Sequence, residues 1–407
     1  MPTSQSSKPA ASAAAAGSAP RLILFVTVFF DLLGFGIVIP FLPMYAARLG
    51  VGAASIGLIL SAYSIMQFIF APLLGRLSDR IGRRPIIMLG LLGSSLSYLI
   101  YGFTDSFAGL LISRAVHGAC AATISTAQAY IADTTEESKR AHAMGMIGAA
   151  FGLGFVLGPA IGGLLGAVSL RTPVLFAAAL TFANLIFAAV WLPESRPPED
   201  TAPSTSAGPI ARQMFDLPRR LRRHRVNALL FVVSFLMTLA IAALEATFAL
   251  TVPAIYGYTA AGVGGLLAFA GLMQAITQGY LIGKLVPRTG ETTLVVAGAA
   301  ALALGLAPLG SWSSHAALYG MLALIALGYG FGTTAVAALI SRRTGRELQG
   351  EALGLNQSVL ALARVIGPIA GGMIYQAMGP AAPYLASAAI AAVAMVLATR
   401  ISHIRAA

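Results

Sequence analysis

Eleven residues constrain this chain more than any others. Residues 75–85 read Gly75-Arg76-Leu77-Ser78-Asp79-Arg80-Ile81-Gly82-Arg83-Arg84-Pro85, four arginines and an aspartate set between two long apolar runs. Glycine permits a tight reversal, and Pro85 suits the first turn of a following helix, where its missing N–H is not needed. The arginines hold such a hairpin at a cytoplasmic surface, so the flanking runs read as membrane helices.

Apolar stretches of about 20 residues, long enough to cross roughly 30 Å of hydrocarbon, recur along the chain. Twelve are expected, at 22–47, 54–75, 85–104, 107–131, 142–167, 173–193, 226–250, 260–283, 292–309, 315–340, 350–377 and 380–401. With 57% hydrophobic and 10% charged residues in 407, the fold class is an all-α membrane protein of twelve transmembrane helices. The net charge of +12 invites a nucleic-acid reading, but the positions of the basic residues exclude it. Only Arg48 and Arg171 fall in loops on one side, Arg114 and Arg364 fall deep within spans, and the other 22 Lys and Arg, with Arg400 at the very end of its span, share the opposite side. The positive-inside rule makes that side the cytoplasm, with both termini there.

Residues 1–20, rich in Ala, Ser and Pro, read as a disordered cytoplasmic tail, followed by a retained first span rather than a cleaved leader. Residues 194–225 form a cytoplasmic linker whose basic second part (Arg212, Arg219, Arg220, Arg222, Arg223, Arg225) suits a helix lying on anionic lipid. The linker separates six-span halves at 21–193 and 226–402, before a short tail at 403–407. A lone cysteine, Cys120, leaves no disulfide framework and no metal cluster, and no cofactor is implied.

The halves repeat. Gly75-Arg76-Leu77 with Arg80 and Gly82 returns as Gly283-Lys284-Leu285 with Arg288 and Gly290, and Gly158-Pro159 with Gly162-Gly163 returns as Gly367-Pro368 with Gly371-Gly372. Offsets of about 208 in both motifs imply duplicated halves in parallel orientation, with a ligand site between them near mid-membrane. The second copy is degenerate: Pro287 stands for Asp79 and Glu291 for Arg83.

On these residues the chain resembles the major facilitator superfamily, and within it the twelve-span drug:proton antiporters. Residues 75–85 match the superfamily's inner hairpin. Asp31-Leu32-Leu33-Gly34 with Pro40 and Pro43 match the first-helix motif, Arg114 with Gly118 the fourth-helix motif, and Gly154, Gly158, Pro159, Gly162 and Gly163 the fifth-helix motif associated with antiport. The local likeness is strongest to tetracycline efflux proteins, through Phe70-Ala71-Pro72, residues 131–135 and Phe151-Gly152-Leu153-Gly154. One departure is plain: the Ser-Leu-Asp-Tyr of those proteins reads Ser95-Leu96-Ser97-Tyr98 here, and the ninth span contains no acid.

The resemblance implies export of a small amphiphilic compound or drug in exchange for protons, from the bacterial inner membrane, by a single chain seated in lipid. It also implies a conformational latch of Gly75, Asp79, Arg80, Gly82, Arg83 and Arg84, with Asp79 reaching the start of the eleventh span around Gly350.

A charge at mid-bilayer costs at least about 2.5–3.5 kcal/mol on insertion scales, so each one needs a partner or a task. Besides His117, four groups qualify: Asp31, Arg114, Glu245 and Arg364. They are structural ion pairs or functional groups; on the second reading Asp31 carries the proton, Arg114 modulates it and Glu245 selects cationic substrates or joins the coupling. Gln67, Gln274, Gln278, Asn356 and Gln357, with His117 and Arg364, either line a substrate cavity or bond between helices. The glycine stripe of the fifth span allows a helix to approach closely, whatever else it does. A proton-coupled importer of a sugar or metabolite is the alternative on the same fold, suggested by Pro193-Glu194-Ser195. An enzyme is not indicated, because no nucleophile elbow, zinc-protease motif or phosphate loop is visible.

Overall fold

The computed structural model of the chain describes residues 10–195, 227–344 and 348–403, and most of the linker, including its basic stretch, lies outside the described residues. All regular structure among the described residues is helical. Hydrocarbon offers backbone groups no hydrogen-bond partners, so each crossing must close its own bonds. The crossings are α1 (Pro20–Arg48), α2 (Ala53–Ile81), α3 (Arg83–Phe103), α4 (Phe107–Thr134), α5 (Glu137–Gly166) and α6 (Thr172–Trp191). The second six are α7 (Ala228–Tyr256), α8 (Ala260–Thr289), α9 (Glu291–Leu306), α10 (His315–Arg343), α11 (Gln349–Met378) and α12 (Ala382–Thr399). Eleven are long and apolar enough to span, and α9 is the shorter twelfth.

The expected spans stand, with differences of extent, of which those at the two hairpins matter most. Helix α2 continues through Asp79 to Ile81 and α8 through Arg288 to Thr289, beyond the expected ends at 75 and 283. Each hairpin is thereby reduced to one glycine, Gly82 with φ +101° and Gly290 with φ +77°. A side chain at Gly82 would also stand 2.7 Å from the Glu194 carboxylate carbon, so only glycine fits there. At the opposite, far face, Ser106 and Ser314 cap α4 and α10 in equivalent places, accepting from Gly109 at 3.1 Å and Ala317 at 3.4 Å.

Large apolar side chains are widely exposed around the bundle, among them Phe103, Leu164, Val190 and Met378, which suits a surface bathed in lipid. Inside, the two halves differ. The second half has one continuous core running from Leu230 to Ile401. In the first half the core is divided, with Leu33, Ile37, Phe41, Tyr98 and Tyr101 toward the far face and Leu24, Val28, Leu32, Ile87 and Tyr130 toward the hairpin face. Asp31, Ser94, Arg114, His117 and Thr123 occupy the level between them.

The halves touch through α2 with α11 and α5 with α8, and these contacts are on the far side. Gly57 lies against Pro368 and Ile369, Gly372 against Ala53 and Ala54, and Gly163 against Gly264 and Ala261. Ser61 donates to the Val365 carbonyl at 2.7 Å, and the Ala54 amide donates to Gln376 Oε1 at 3.2 Å. Toward the hairpin face the same helices carry Gly75, Gly145, Gly148, Gly283 and Gly354, and beside each of them there is open space.

Candidate functional site

Helix α1 is seated by the fifth-span glycines. Gly154, Gly158 and Gly162 face Leu32, Gly36, Ile37 and Phe41, and a methyl on Gly158 would stand 2.6 Å from the Gly36 carbonyl carbon. The stripe therefore packs α5 on α1 inside the first half, whereas Pro159 and Gly163, a turn around, meet Gly264 of α8 across the interface. This contact fixes the rotation of α1 and aims Asp31 away from α5, at Ser94 of α3 and Thr123 of α4.

Thr123 lies where α4 breaks. The helix stops at Cys120, passes through Ala121 and Ala122 in non-helical geometry, and restarts at Thr123. Ala-rich sequence would not stop there by itself. Packing accounts for the break: the backbone near Cys120 is drawn against Gly90 and Gly93 of α3, while Gly118 lies against the Tyr63 backbone of α2. Gln67 donates to the freed Ala121 carbonyl at 3.4 Å and to the Tyr63 hydroxyl at 3.3 Å, so its amide has a structural task. The restarted segment presents its N-terminus, the positive end of its dipole, toward Asp31.

Arg114 is fully buried, yet among the described residues no carboxylate lies within 4.0 Å of it. Its Nη2 donates to the Ser97 hydroxyl at 3.3 Å, its guanidinium lies 5.8 Å from the Tyr98 ring and 6.0 Å from the Tyr101 ring, and Nε and Nη1 have no partner. A hydroxyl and two π faces thus stand where an ion pair could form. His117, one turn along, is 4% exposed and ringed by Phe35, Tyr63 and Tyr98 at 5.8, 5.1 and 5.0 Å, with Nδ1 unbonded. Tyr98 and Tyr63 are in electrostatic reach of both Asp31 and Arg114.

The charges of the second half are placed differently. Glu245 of α7 and Arg364 of α11 are both exposed, and they influence one another although no ion pair within 4.0 Å joins them. Arg364 lies against the Tyr329 hydroxyl of α10 and within reach of Tyr63 from the first half, which locates both groups at the interface between halves. Gln278 is exposed within a π-helical stretch of α8, Thr277–Leu281, next to Gly330, while Gln274 is half-buried. Gln357 is exposed, and Asn356 is 5% exposed with Oδ1 unpartnered.

At the hairpin, Arg83 is the hub. It pairs with Asp79 at 2.8 Å and Asp133 at 2.9 Å and donates to Ser78 at 2.6 Å, while Arg84 donates to the Ala189 carbonyl and Arg80 is exposed. Glu194 caps α3, accepting from the amides of Arg83 at 2.8 Å and Arg84 at 3.1 Å, which gives the Pro-Glu-Ser segment a structural task. Asp133 and Glu194 were not singled out from sequence as site residues; each sits just past an apolar run, where loop and partner look alike. These partners all belong to the first half. The contacts described between α2 and α11 lie at Gly57 and Ser61, about 27 Å up the helix from Asp79 at 1.5 Å per residue.

The second hairpin has its own bridge, Glu291 with Arg342. Glu291 is the first residue of α9 as Arg83 is of α3, and Arg342 ends α10 as Asp133 ends α4. The repeat thus carries the same bridge with its charges exchanged. On the far face, Arg171 pairs with Asp105 and donates to the Tyr45 hydroxyl at 3.1 Å, and Arg171 holds the Asp105 carboxyl below its ordinary range.

Comparison with known proteins agrees with this architecture. The family model described as Major Facilitator Superfamily matches residues 24–368 and 230–405. The class C tetracycline resistance protein of Escherichia coli is 34% identical over 360 residues, covering 88% of this chain and 89% of that protein. Multidrug resistance protein 2 of Bacillus subtilis (strain 168) is 30% identical over 359 residues, covering 87% and 88%. Among solved structures, the human organic anion transporter MFSD10 (TETRAN) superposes with a TM-score of 0.70 at 26% identity, over 96% of this chain and all of that one. A multi-pass bundle in two six-helix halves, broken at α4 and charged at the interface between halves, is thus a transporter and not an enzyme, and the chain belongs to the major facilitator superfamily.

Proposed function

We propose that this protein exports a small amphiphilic compound in exchange for protons by alternating access. The observation that carries the reading is the division of labour between the two halves. The first half buries Arg114 within its own bundle and half-buries Asp31 there, whereas the second presents Glu245 and Arg364 to the space between halves. A proton site and a substrate site are thereby separate but joined through Tyr63, which is in reach of Asp31, Arg114 and Arg364. The tetracycline and multidrug resistance proteins among its relatives support export of a drug-like compound rather than import.

The cytoplasm lies on the hairpin side by the positive-inside rule, which places both termini there and makes the protein a bacterial inner-membrane exporter. With the halves sealed at the far end and parted at the hairpin end, the arrangement is inward-facing. Residues 21–193 and 226–402 are the two rocking bodies, 194–225 their tether, and one chain seated in lipid suffices. On opening outward, α2 and α11 separate at Gly57 and close at Asp79, which then meets the positive N-terminal end of α11.

In this cycle Asp31 loses its proton to the cytoplasm and regains one from the far side. In the arrangement seen here its carboxyl lies beside the Ser94 and Thr123 hydroxyls. Inverted membrane vesicles with an imposed pH gradient test this. Asp31→Asn should abolish gradient-driven accumulation of a fluorescent amphiphile while leaving insertion intact, and accumulation at the wild-type rate would sink the assignment.

A further inference from the structure

Arg364 poses a problem that export alone does not resolve. A guanidinium near mid-membrane carries five N–H donors and a charge that cannot be shed. The membrane arginine of the first half, Arg114, is enclosed by Ser97, Tyr98 and Tyr101, but Arg364 is exposed, with the Tyr329 hydroxyl beside it and, among the described residues, no carboxylate within 4.0 Å. Glu245 is equally exposed and equally unpaired. The two stand at nearly one depth, about 25 Å and about 22 Å from the hairpin-side starts of α7 and α11 at 1.5 Å per residue. Opposite charges that share a level, face one interface and influence each other without touching leave a gap for something that carries both signs.

We propose that Glu245 and Arg364 are the two poles of one substrate site, and that the exported compound is a zwitterion whose anionic group is taken by Arg364 and whose cationic group is taken by Glu245. This rests on the export reading above and names its substrate class. Arginine grips a carboxylate through two parallel hydrogen bonds, which a hydroxyl neighbour such as Tyr329 leaves free. A cation and a proton compete for Glu245, so a bound substrate favours the unprotonated carboxylate, the sign that exchange requires. An anionic compound without a cationic group would meet Glu245 as a like charge, and a plain cation would meet Arg364 as one.

Rhodamine B, a zwitterion at neutral pH, and its ethyl ester, a cation of nearly the same shape, form a matched pair of probes. Binding of each to the purified full chain in lipid nanodiscs is read by fluorescence anisotropy. Wild type should bind the zwitterion at least about tenfold more tightly than the ester, as expected for one charge-assisted contact. Arg364→Gln should erase that preference while keeping ester binding, Arg364→Lys should keep part of it, and Glu245→Gln should weaken both dyes. Equal affinities in wild type, including no binding of either dye, would overturn the proposal, as would a preference unchanged in Arg364→Gln. Should Arg364→Gln also lose the ester, Arg364→Lys decides: a variant that binds the ester without preferring the zwitterion refutes recognition by charge. Gradient-driven uptake into inverted vesicles is scored separately. A wild-type preference for the zwitterion without transport of either dye would refute export and leave the site, whereas transport of both without preference would refute the site and leave export.

Discussion

Substituting Gly57 with alanine should push the protein out of the arrangement described here. A methyl at that position would stand 2.7 Å from the Pro368 carbonyl carbon and 3.0 Å from Ile369 Cα, with the carbonyl oxygen closer still. Ordinary contact begins at 3.4 Å, so α2 and α11 must part by about 0.7 Å or more at their tightest point. The obstacle is backbone and has no rotamer into which to retreat. Overpacking of this kind costs about 1–3 kcal/mol, and here the cost falls only on the state in which the halves touch at the far end. The outward-open population should therefore rise by about 5- to 150-fold. A cysteine at Gln67 in a Cys120→Ala background reports the change through its reaction with an impermeant thiol reagent applied to intact cells. Labelling should speed up at least fivefold in Gly57→Ala and stay unchanged in Gly320→Ala, at an exposed position of α10 where the added methyl meets nothing within 4 Å. Equal labelling in wild type and Gly57→Ala at equal expression, or equal acceleration in both alanine variants, would refute the reasoning.

Three further outcomes follow from the charged groups. Ser97→Asp places a carboxylate on the otherwise unpaired Arg114 and should raise the melting temperature of the purified protein; a lower one would mean that the ring faces already balance the guanidinium. Arg83→Met removes the bridges to Asp79 and Asp133 at a nearly buried guanidinium and should destabilise by about 1–3 kcal/mol, whereas Arg342→Met, at an arginine side chain 70% exposed, should cost less than about 1 kcal/mol. Because Arg171 lowers the Asp105 carboxyl below its ordinary 3.8, that pair contributes fully above this value and is lost only as pH falls through the lowered one. The difference in melting temperature between wild type and Asp105→Asn should thus be flat from about pH 8 to about pH 5 and shrink only in stronger acid.

The crossings were legible because hydropathy over about 20 residues is a signal that no local packing overrides. The halves were legible because two motifs kept one offset. The break in α4 was not: residues 118–122 favour helix by composition, and only the pressure of Gly90 and Gly93 from α3 interrupts it. For Arg114 the sequence suggested an acid to modulate, while the partners turned out to be Ser97, Tyr98 and Tyr101, one face of α3 recorded in sequence only as a departure from the family pattern. The direction in which the halves are parted has no sequence signature, since the same glycines line α2, α5, α8 and α11 in every arrangement.

The exchanged bridges of the two hairpins bear on how the nascent chain sorts itself. Both halves have the same fold, so α3 could in principle settle beside α10, or α9 beside α4, as the helices enter the bilayer one after another. Either mistake brings like charges together, Arg83 onto Arg342 in one case and Glu291 onto Asp133 in the other. Only the correct partners attract, so the inverted polarity of the duplicate gives each half a lock that the other half's key does not fit.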